Sequence, residues 1–183
     1  MAMRDALRRA GFDVGENQEE ETMARAPRDR RQDRGGRDRR PDQGAPPRFP
    51  DSYFGKDERG DDYLLPVFVS TEVDELAKRF ANGNPRLTTG QLRRFFNHCR
   101  EIERRLRVED RSWEQVSAEF VKLRSHAQNA EARRLIPRDF QQFIDRNVDR
   151  VTASENPRSA FLDGFIQHFE ALVGFGSAYM RDR

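Results

Sequence analysis

The chain has 183 residues, of which 35% are hydrophobic and 36% charged, and its formal net charge is +2. This length suits one modest domain. No stretch approaches the roughly 20 apolar residues of a membrane span, and the N-terminus lacks the apolar core of a secretory signal. We therefore expect a soluble, cytoplasmic protein without membrane partners. The single cysteine, Cys99, excludes an internal disulfide, and we expect no metal site and no cofactor.

The N-terminal region has too few apolar residues to form a core. Its first 50 residues contain only Leu7, Phe12, Val14 and Phe49 from the Leu/Ile/Val/Phe set, and residues 25–48 hold nine arginines against four aspartates. Such a composition does not bury enough surface to offset the entropy of ordering. We predict a disordered, Arg-rich arm over residues 1–62 and a folded domain over residues 63–180. The arm either contacts phosphate or acts as a solvated linker.

Helical periodicity dominates the rest of the chain. The segment TEVDELAKRF predicts a first helix capped by Ser70 or Thr71. Two capping boxes, Thr88 with Gln91 and Ser112 with Gln115, predict where the next two helices begin. Apolar residues at steps of three and four follow each box, as on the buried side of a helix. The second helix has Leu92, Phe95, Phe96, Cys99, Ile102 and Leu106, and the third has Trp113, Val116, Phe120, Leu123, Ala127 and Ala130.

Two prolines mark the last helices. Pro137 suits the start of a fourth helix and Asn156–Pro157 the start of a fifth, which is apolar nearly all round and should be central or shared with a partner. Its Gly164, Gly174 and Gly176 would allow close backbone approach. No segment alternates as a strand does. The predicted fold is an all-α, compact bundle of about five helices.

Basic residues form stripes on the second and third helices. On the second, Arg93, Arg100, Arg104 and Arg107 lie within about one sixth of a turn of each other. On the third, Lys122, His126, Asn129 and Arg133 share one side, and Arg134 follows. Arginine can hold phosphate oxygens bidentately, so the stripes fit a nucleic-acid strand. The alternative is a solvated face neutralised by Glu101, Glu103 and Glu119. Periodicity alone leaves both interpretations open.

Catalysis and protein binding are two alternatives to nucleic-acid binding. Arg93 and His98 match the R-x4-H spacing of HEPN-type helical ribonucleases, but they lie about 140° apart on one helix and should not converge. His168 sits in the apolar fifth helix, where a core or interface histidine is expected rather than a base. A third possibility is a purely protein-binding adaptor that docks through the fifth helix.

Three further segments carry a recognisable pattern when taken together: LTTGQLRRFFNHCREI at 87–102, FVKLRSHAQNAEARRLIP at 120–137 and HFEALVGFGSAYM at 168–180. In this order they resemble the small subunit of the type III-A CRISPR effector, the Csm complex, and the similarity covers residues 62–180. The family tends to have tyrosine where Phe175 stands and Ala-Gly where Glu131 and Ala132 stand. The Arg-rich arm is not part of its pattern.

The resemblance implies a non-catalytic RNA-binding subunit that acts in antiviral defence. Its expected partners are guide RNA, target RNA, other Cas subunits and additional copies of itself, and RNA cleavage would belong to a different subunit. The motif carries RNA-backbone contact over to Arg93, Arg94, Lys122, Arg124 and Arg133. The stripes add Arg100, Arg104 and Arg134, which completes the predicted site.

Overall fold

The two central helices begin where the capping boxes predict. In the computed structural model, which describes residues 45–182, the Thr88 hydroxyl accepts from the Gln91 N–H at 3.3 Å, and Gln91 Oε1 accepts from the Thr88 N–H at 2.9 Å. Gln115 accepts from the Ser112 N–H at 3.0 Å in the same way. Helix α2 therefore runs over Thr89–Arg107 and helix α3 over Trp113–Ala132.

Three further helices complete the bundle, and the predicted all-α fold of about five helices is confirmed. Helix α1 spans Thr71–Ala81 and helix α4 spans Arg138–Thr152, directly after Pro137. The fifth helix, α5, runs continuously over 157–179 and starts at Asn156, whose side chain accepts from the Ser159 N–H at 3.1 Å. Helix α5 packs against α1 and α2, and α4 packs against α3. The core between them is rich in phenylalanine.

Helix α5 departs from the regular helix that periodicity predicts. It has an α-helical turn at Pro157–Ser159, a π-helical segment at Ala160–Phe165 and a regular α-helix at Ile166–Tyr179. A Cβ on Gly164 would lie 2.6 Å from the Tyr53 ring, and one on Gly176 would lie 3.0 Å from Leu92. Both glycines thus permit the close approach that was expected, whereas nothing lies within 4 Å of the corresponding position on Gly174.

A short hairpin precedes the helices and was not predicted. Strands β1, Phe54–Lys56, and β2, Asp62–Leu64, pair antiparallel with Phe54 opposite Leu64. Just before it, Tyr53 is fully buried and its hydroxyl donates to Asn147 Oδ1 at 2.6 Å. Residues that the sequence assigned to the arm therefore pack against the bundle. Three-residue strands are too short to show alternation. The prediction of disorder over residues 1–44 lies outside the described residues.

Candidate nucleic-acid interface

Helices α2 and α3 lie side by side and antiparallel, joined by residues 108–112. Three contacts fix their register. Gln91 Nε2 donates to the Leu135 carbonyl oxygen at 2.6 Å, the rings of His98 and His126 are 5.7 Å apart, and Arg105 pairs with Glu119 at 2.6 Å. The first half of α2 therefore lies beside the second half of α3, and the α2 residues that face α3 are Gln91, His98 and Arg105. The predicted stripe of Arg93, Arg100, Arg104 and Arg107 lies on another side of α2.

The arginines in the second half of α2 are neutralised by carboxylates. Arg100 pairs with Glu103 at 2.7 Å, and Arg104 pairs with Glu101 at 2.7 Å and with Glu109 at 2.9 Å. The Glu101 carboxyl has its pKa lowered to about 2, chiefly by the hydrogen bonds from Arg104. Arg107 likewise contacts Glu103 and Asp163, at 3.1 and 3.3 Å. In this half of the stripe, the solvated ion-pair interpretation describes the structure.

Arg124 is held by the neighbouring helix. Its guanidinium donates to the Asp149 carboxylate and to the Asp145 backbone carbonyl at 3.3 Å, and its Nε lies 3.7 Å from Asp145 Oδ1. The two aspartates are four residues apart on α4 and so present one face to α3. Arg124 therefore joins α3 to α4, and an RNA phosphate would have to compete with both carboxylates.

The five other predicted residues are free cations. In the described part of the chain, their side chains have neither an acidic nor a hydrogen-bonding partner, and all five are exposed. They are Arg93, Arg94, Lys122, Arg133 and Arg134. The register of the helix pair places Arg94 near the last two, because Gln91, one turn before it, contacts Leu135. Arg93 lies further round α2. We call these five residues the basic surface.

Two histidines lie within the basic surface. His98 is one turn after Arg94 on α2, and His126 is one turn after Lys122 on α3; their rings meet edge to face. The sequence placed His126 on the stripe of Lys122 but considered His98 only as a catalytic residue. His98 follows Arg94 by four residues, and this helical spacing was the signal that could have placed His98 beside the basic residues.

Arg134 has an unusual backbone conformation. Its φ is 55°, in the left-handed region, and it follows the helix-ending residue Arg133. Its N–H donates to the Glu131 carbonyl at 2.7 Å, while the Leu135 N–H reaches the Ala130 carbonyl at 2.9 Å. Helices commonly end with such a residue, but glycine usually occupies it. The left-handed conformation is sterically unfavourable for arginine, and the Arg134 side chain is exposed rather than packed in the core.

The catalytic candidates are not assembled into a site. Within the described residues, no hydrogen bond or ion pair joins Arg93 to His98, and the His98 Nε2 lies 3.4 Å from the Glu119 carbonyl oxygen. Cys99 is buried, and desolvation raises the pKa of its thiol. His168 is also buried, as expected of a core histidine, and burial lowers its pKa to about 4.

Residues 45–182 offer neither a metal cluster nor a membrane span. No group of three or more His, Cys, Asp or Glu side chains in this range is placed to hold a metal ion. None of the helices described there has both the length and the apolar composition needed to cross a bilayer.

Comparison with known families agrees with the resemblance seen in the motifs. The family model described as Csm2 Type III-A matches residues 68–182, well over half of the chain. The chain belongs to the Csm2 family. It is thus a small structural subunit of the type III-A CRISPR effector complex, where it assembles with other Cas subunits and further copies of itself. Neither the curated proteins nor the solved structures give a significant match.

The Csm2 match covers only part of the described structure. It includes all five helices and hence the whole basic surface. It begins at residue 68, so Tyr53, the hairpin and the segment before it are outside the matched region. The two parts are nevertheless in contact, since the Tyr53 hydroxyl bonds to Asn147 within α4.

Proposed function

We propose that this Csm2 subunit is a non-catalytic RNA-binding component that contacts the backbone of the guide RNA–target RNA duplex in the cytoplasm during antiviral defence. The observation that carries the proposal is the basic surface: five exposed cations on two adjacent antiparallel helices and just after the end of α3, none with an acidic partner among residues 45–182. The other arginines of these two helices are paired with carboxylates, so five free cations together favour an external anion.

The chemistry of the basic surface favours the backbone over the bases. Arginine and lysine neutralise phosphates, and such contacts carry no sequence information. A subunit that serves every guide sequence needs this kind of contact, since base pairing already reads the sequence. Seven residues of helix advance about 10 Å, so cations one and two turns apart match the spacing of phosphates along a strand.

The eight predicted residues divide into two groups under this proposal. The basic surface makes the primary contacts because its cations are free. Arg100, Arg104 and Arg124 already bind carboxylates, so an RNA phosphate gains less from them. The non-catalytic role is supported by the separation of Arg93 from His98 and by the burial of Cys99 and His168.

The test compares two triple variants that remove the same charge from different groups. Arg94→Ala, Lys122→Ala and Arg133→Ala together should weaken binding of the full chain to an RNA duplex and should reduce the salt dependence. The slope of log affinity against log salt should fall by about 0.7 to 0.9 for each phosphate that the variant no longer neutralises.

The control triple variant is Arg100→Ala, Arg104→Ala and Arg107→Ala. It should retain most of the affinity and the salt slope. Equal losses in both triple variants would show that only overall charge matters, and the proposal would then be wrong. If the purified chain cleaved RNA and His98→Ala abolished the cleavage, the alternative function of a HEPN-type ribonuclease would be supported instead.

A further inference from the structure

Two histidines lie in the middle of the seam, the line along which α2 and α3 face each other. The rings of His98 on α2 and His126 on α3 meet edge to face, with their centroids 5.7 Å apart. His126 is exposed and His98 is half-buried. The R-x4-H pattern that includes His98 is not assembled into a catalytic site, so the role of the pair has to be sought in its surroundings.

The pair occupies a gap in the basic surface. Arg94 precedes His98 by four residues, and Lys122 precedes His126 by four. Because the helices are antiparallel, Arg94 and Lys122 lie on opposite sides of the pair, each about 6 Å along the helix axis from its own histidine. Neutral histidines therefore leave about 12 Å between these two cations, which is longer than the screening length of about 8 Å at physiological salt. Charged histidines would complete a continuous row of cations along the seam.

Each ring has a nitrogen atom that can take up a proton. His98 Nε2 lies 3.4 Å from the Glu119 carbonyl oxygen, which can only accept, so Nε2 carries the hydrogen and Nδ1 is left to bind a proton. Apart from the ring contact with His98, the His126 side chain has no hydrogen bond or ion pair among residues 45–182. Histidine is the side chain whose charge ordinarily changes between about pH 5 and pH 8. The pair thus changes from neutral to positive near physiological pH.

The ionisable neighbours on the seam leave the pair without a counter-ion. These neighbours are Arg94, Glu101 and Arg105 on α2, and Glu119, Lys122 and Arg133 on α3. Both glutamates already bind Arg105, at 3.3 and 2.6 Å, and neither histidine has an ion-pair partner in the described part of the chain. The other neighbours are cations. They repel a further positive charge on the pair as long as no external anion is bound.

The neighbouring helices contact other sides of α2 and α3. Helix α5 meets α2 at Phe96 and α4 meets α3 at Arg124, and each of these residues is about 200° around its helix from the histidine. The acidic side chains of α4 and α5 therefore lie away from the histidines. They are Asp139, Asp145, Asp149, Asp163 and Glu170. An anion that neutralises the protonated pair has to be an external ligand.

We propose that His98 and His126 belong to the RNA interface and that binding of an RNA backbone places a proton on the pair. RNA phosphates supply the missing counter-ion, so the protonated pair binds RNA more tightly than the neutral pair does. By thermodynamic linkage, RNA affinity rises as pH falls, and RNA binding takes up a proton from the solvent. This inference rests on the proposed RNA binding by the basic surface and adds the part of the interface that responds to pH.

The first experiment measures the affinity of the full chain for an RNA duplex by filter binding over a salt series. Between about pH 7.5 and about pH 6 the affinity should rise about fivefold, and at the lower pH the salt slope should be larger by about 0.7 to 0.9, for one more phosphate neutralised. The double variant His98→Gln with His126→Gln should lose both changes and retain most of the affinity found at the higher pH. The third histidine, His168, stays neutral at both pH values because burial lowers its pKa to about 4.

A permanent charge tests whether protonation is the cause. Near pH 7.5, His126→Lys should bind RNA about as tightly as the unaltered chain does near pH 6, and its affinity should depend less on pH. Gln128→Lys is the matched control, because it adds the same charge at an exposed position of α3 that is about 200° around the helix from His126. This control should keep the full pH dependence. Equal behaviour of the two lysine variants would overturn the inference.

Calorimetry in two buffers of different ionisation enthalpy counts the protons directly. Near pH 6.5, RNA binding should take up about 0.5 to 1 proton per chain, and the double glutamine variant should take up almost none. Absence of proton uptake, or the same uptake in the double variant, would overturn this inference while leaving RNA binding by the five cations intact. If the unaltered chain bound no RNA at any pH, the proposed function itself would be wrong, and this inference with it.

Discussion

The cations of α2 and α3 form two groups that differ in their neighbours rather than in their type. Arg100, Arg104, Arg105, Arg107 and Arg124 each have carboxylates within 4 Å, and we call them the paired group. The five cations of the basic surface have none among the described residues. Both groups include residues of α2 and of α3, so membership of a helix alone does not decide whether an arginine can bind an external anion. The carboxylates around each arginine decide it.

The largest expected effect is on stability, within α3. Arg124→Ala should lower the free energy of unfolding by about 2 kcal/mol, because it removes charge-assisted hydrogen bonds that join α3 to α4 and leaves Asp145 without its cation. Lys122→Ala, two residues away, should change it by no more than about 0.5 kcal/mol. Urea unfolding of both variants measures the contrast. Equal destabilisation would remove the distinction between the groups.

A substitution on α2 should convert free cations into paired ones. Asn97 is exposed and lies four residues after Arg93 and three after Arg94, the spacings at which Glu103 pairs with Arg107 and Arg100. Asn97→Glu should therefore weaken RNA binding about tenfold and reduce the salt slope by the equivalent of about one phosphate. Asn97→Gln is the neutral control. Filter binding over a salt series tests both, and unchanged affinity in Asn97→Glu would contradict a role for these arginines.

Much of this architecture could be predicted from the sequence because it depends on local signals. Capping boxes at Thr88 and Ser112 and apolar steps of three and four specify helix starts and buried faces within one or two turns. The pairing of Arg104 with Glu101 is also local, since three residues separate them. These features need no knowledge of the tertiary fold.

The division between paired and free cations could not be predicted, because its decisive contacts are distant in sequence. Arg124 meets Asp145 and Asp149 only because α4 packs against α3, and Arg107 meets Asp163 only through α5. The burial of Tyr53 is similar, since its partner Asn147 lies 94 residues further along the chain. Composition assigned Tyr53 to the arm, whereas tertiary packing buries it.

A smaller effect is expected at Arg134, where backbone and side chain can be separated. Glycine adopts the left-handed conformation without steric cost, so Arg134→Gly should stabilise the chain, by up to about 1 kcal/mol, while it removes one cation of the basic surface. RNA affinity should fall at the same time. Thermal unfolding and RNA binding are measured on the same variant. A stability gain with unchanged RNA affinity would exclude Arg134 from the interface.

The smallest effect concerns the pH dependence of the paired group. The Glu101 carboxyl has its pKa lowered to about 2 from an ordinary value of 4.5, because Arg104 and Arg105 bond to the charged form. A lowered native pKa means that the unfolded state binds more protons below pH 4.5, so the pairing stabilises the fold above that pH and its contribution disappears as pH falls toward 2. Urea unfolding at about pH 5 and about pH 3 should show a smaller drop in stability for Glu101→Gln than for the unaltered chain. Because Glu101 lies at the surface, solvent screening keeps this difference small. An equal drop in both proteins would mean that the exposed pairs hold Arg104 too weakly to keep it from RNA, and Arg104 would then join the basic surface.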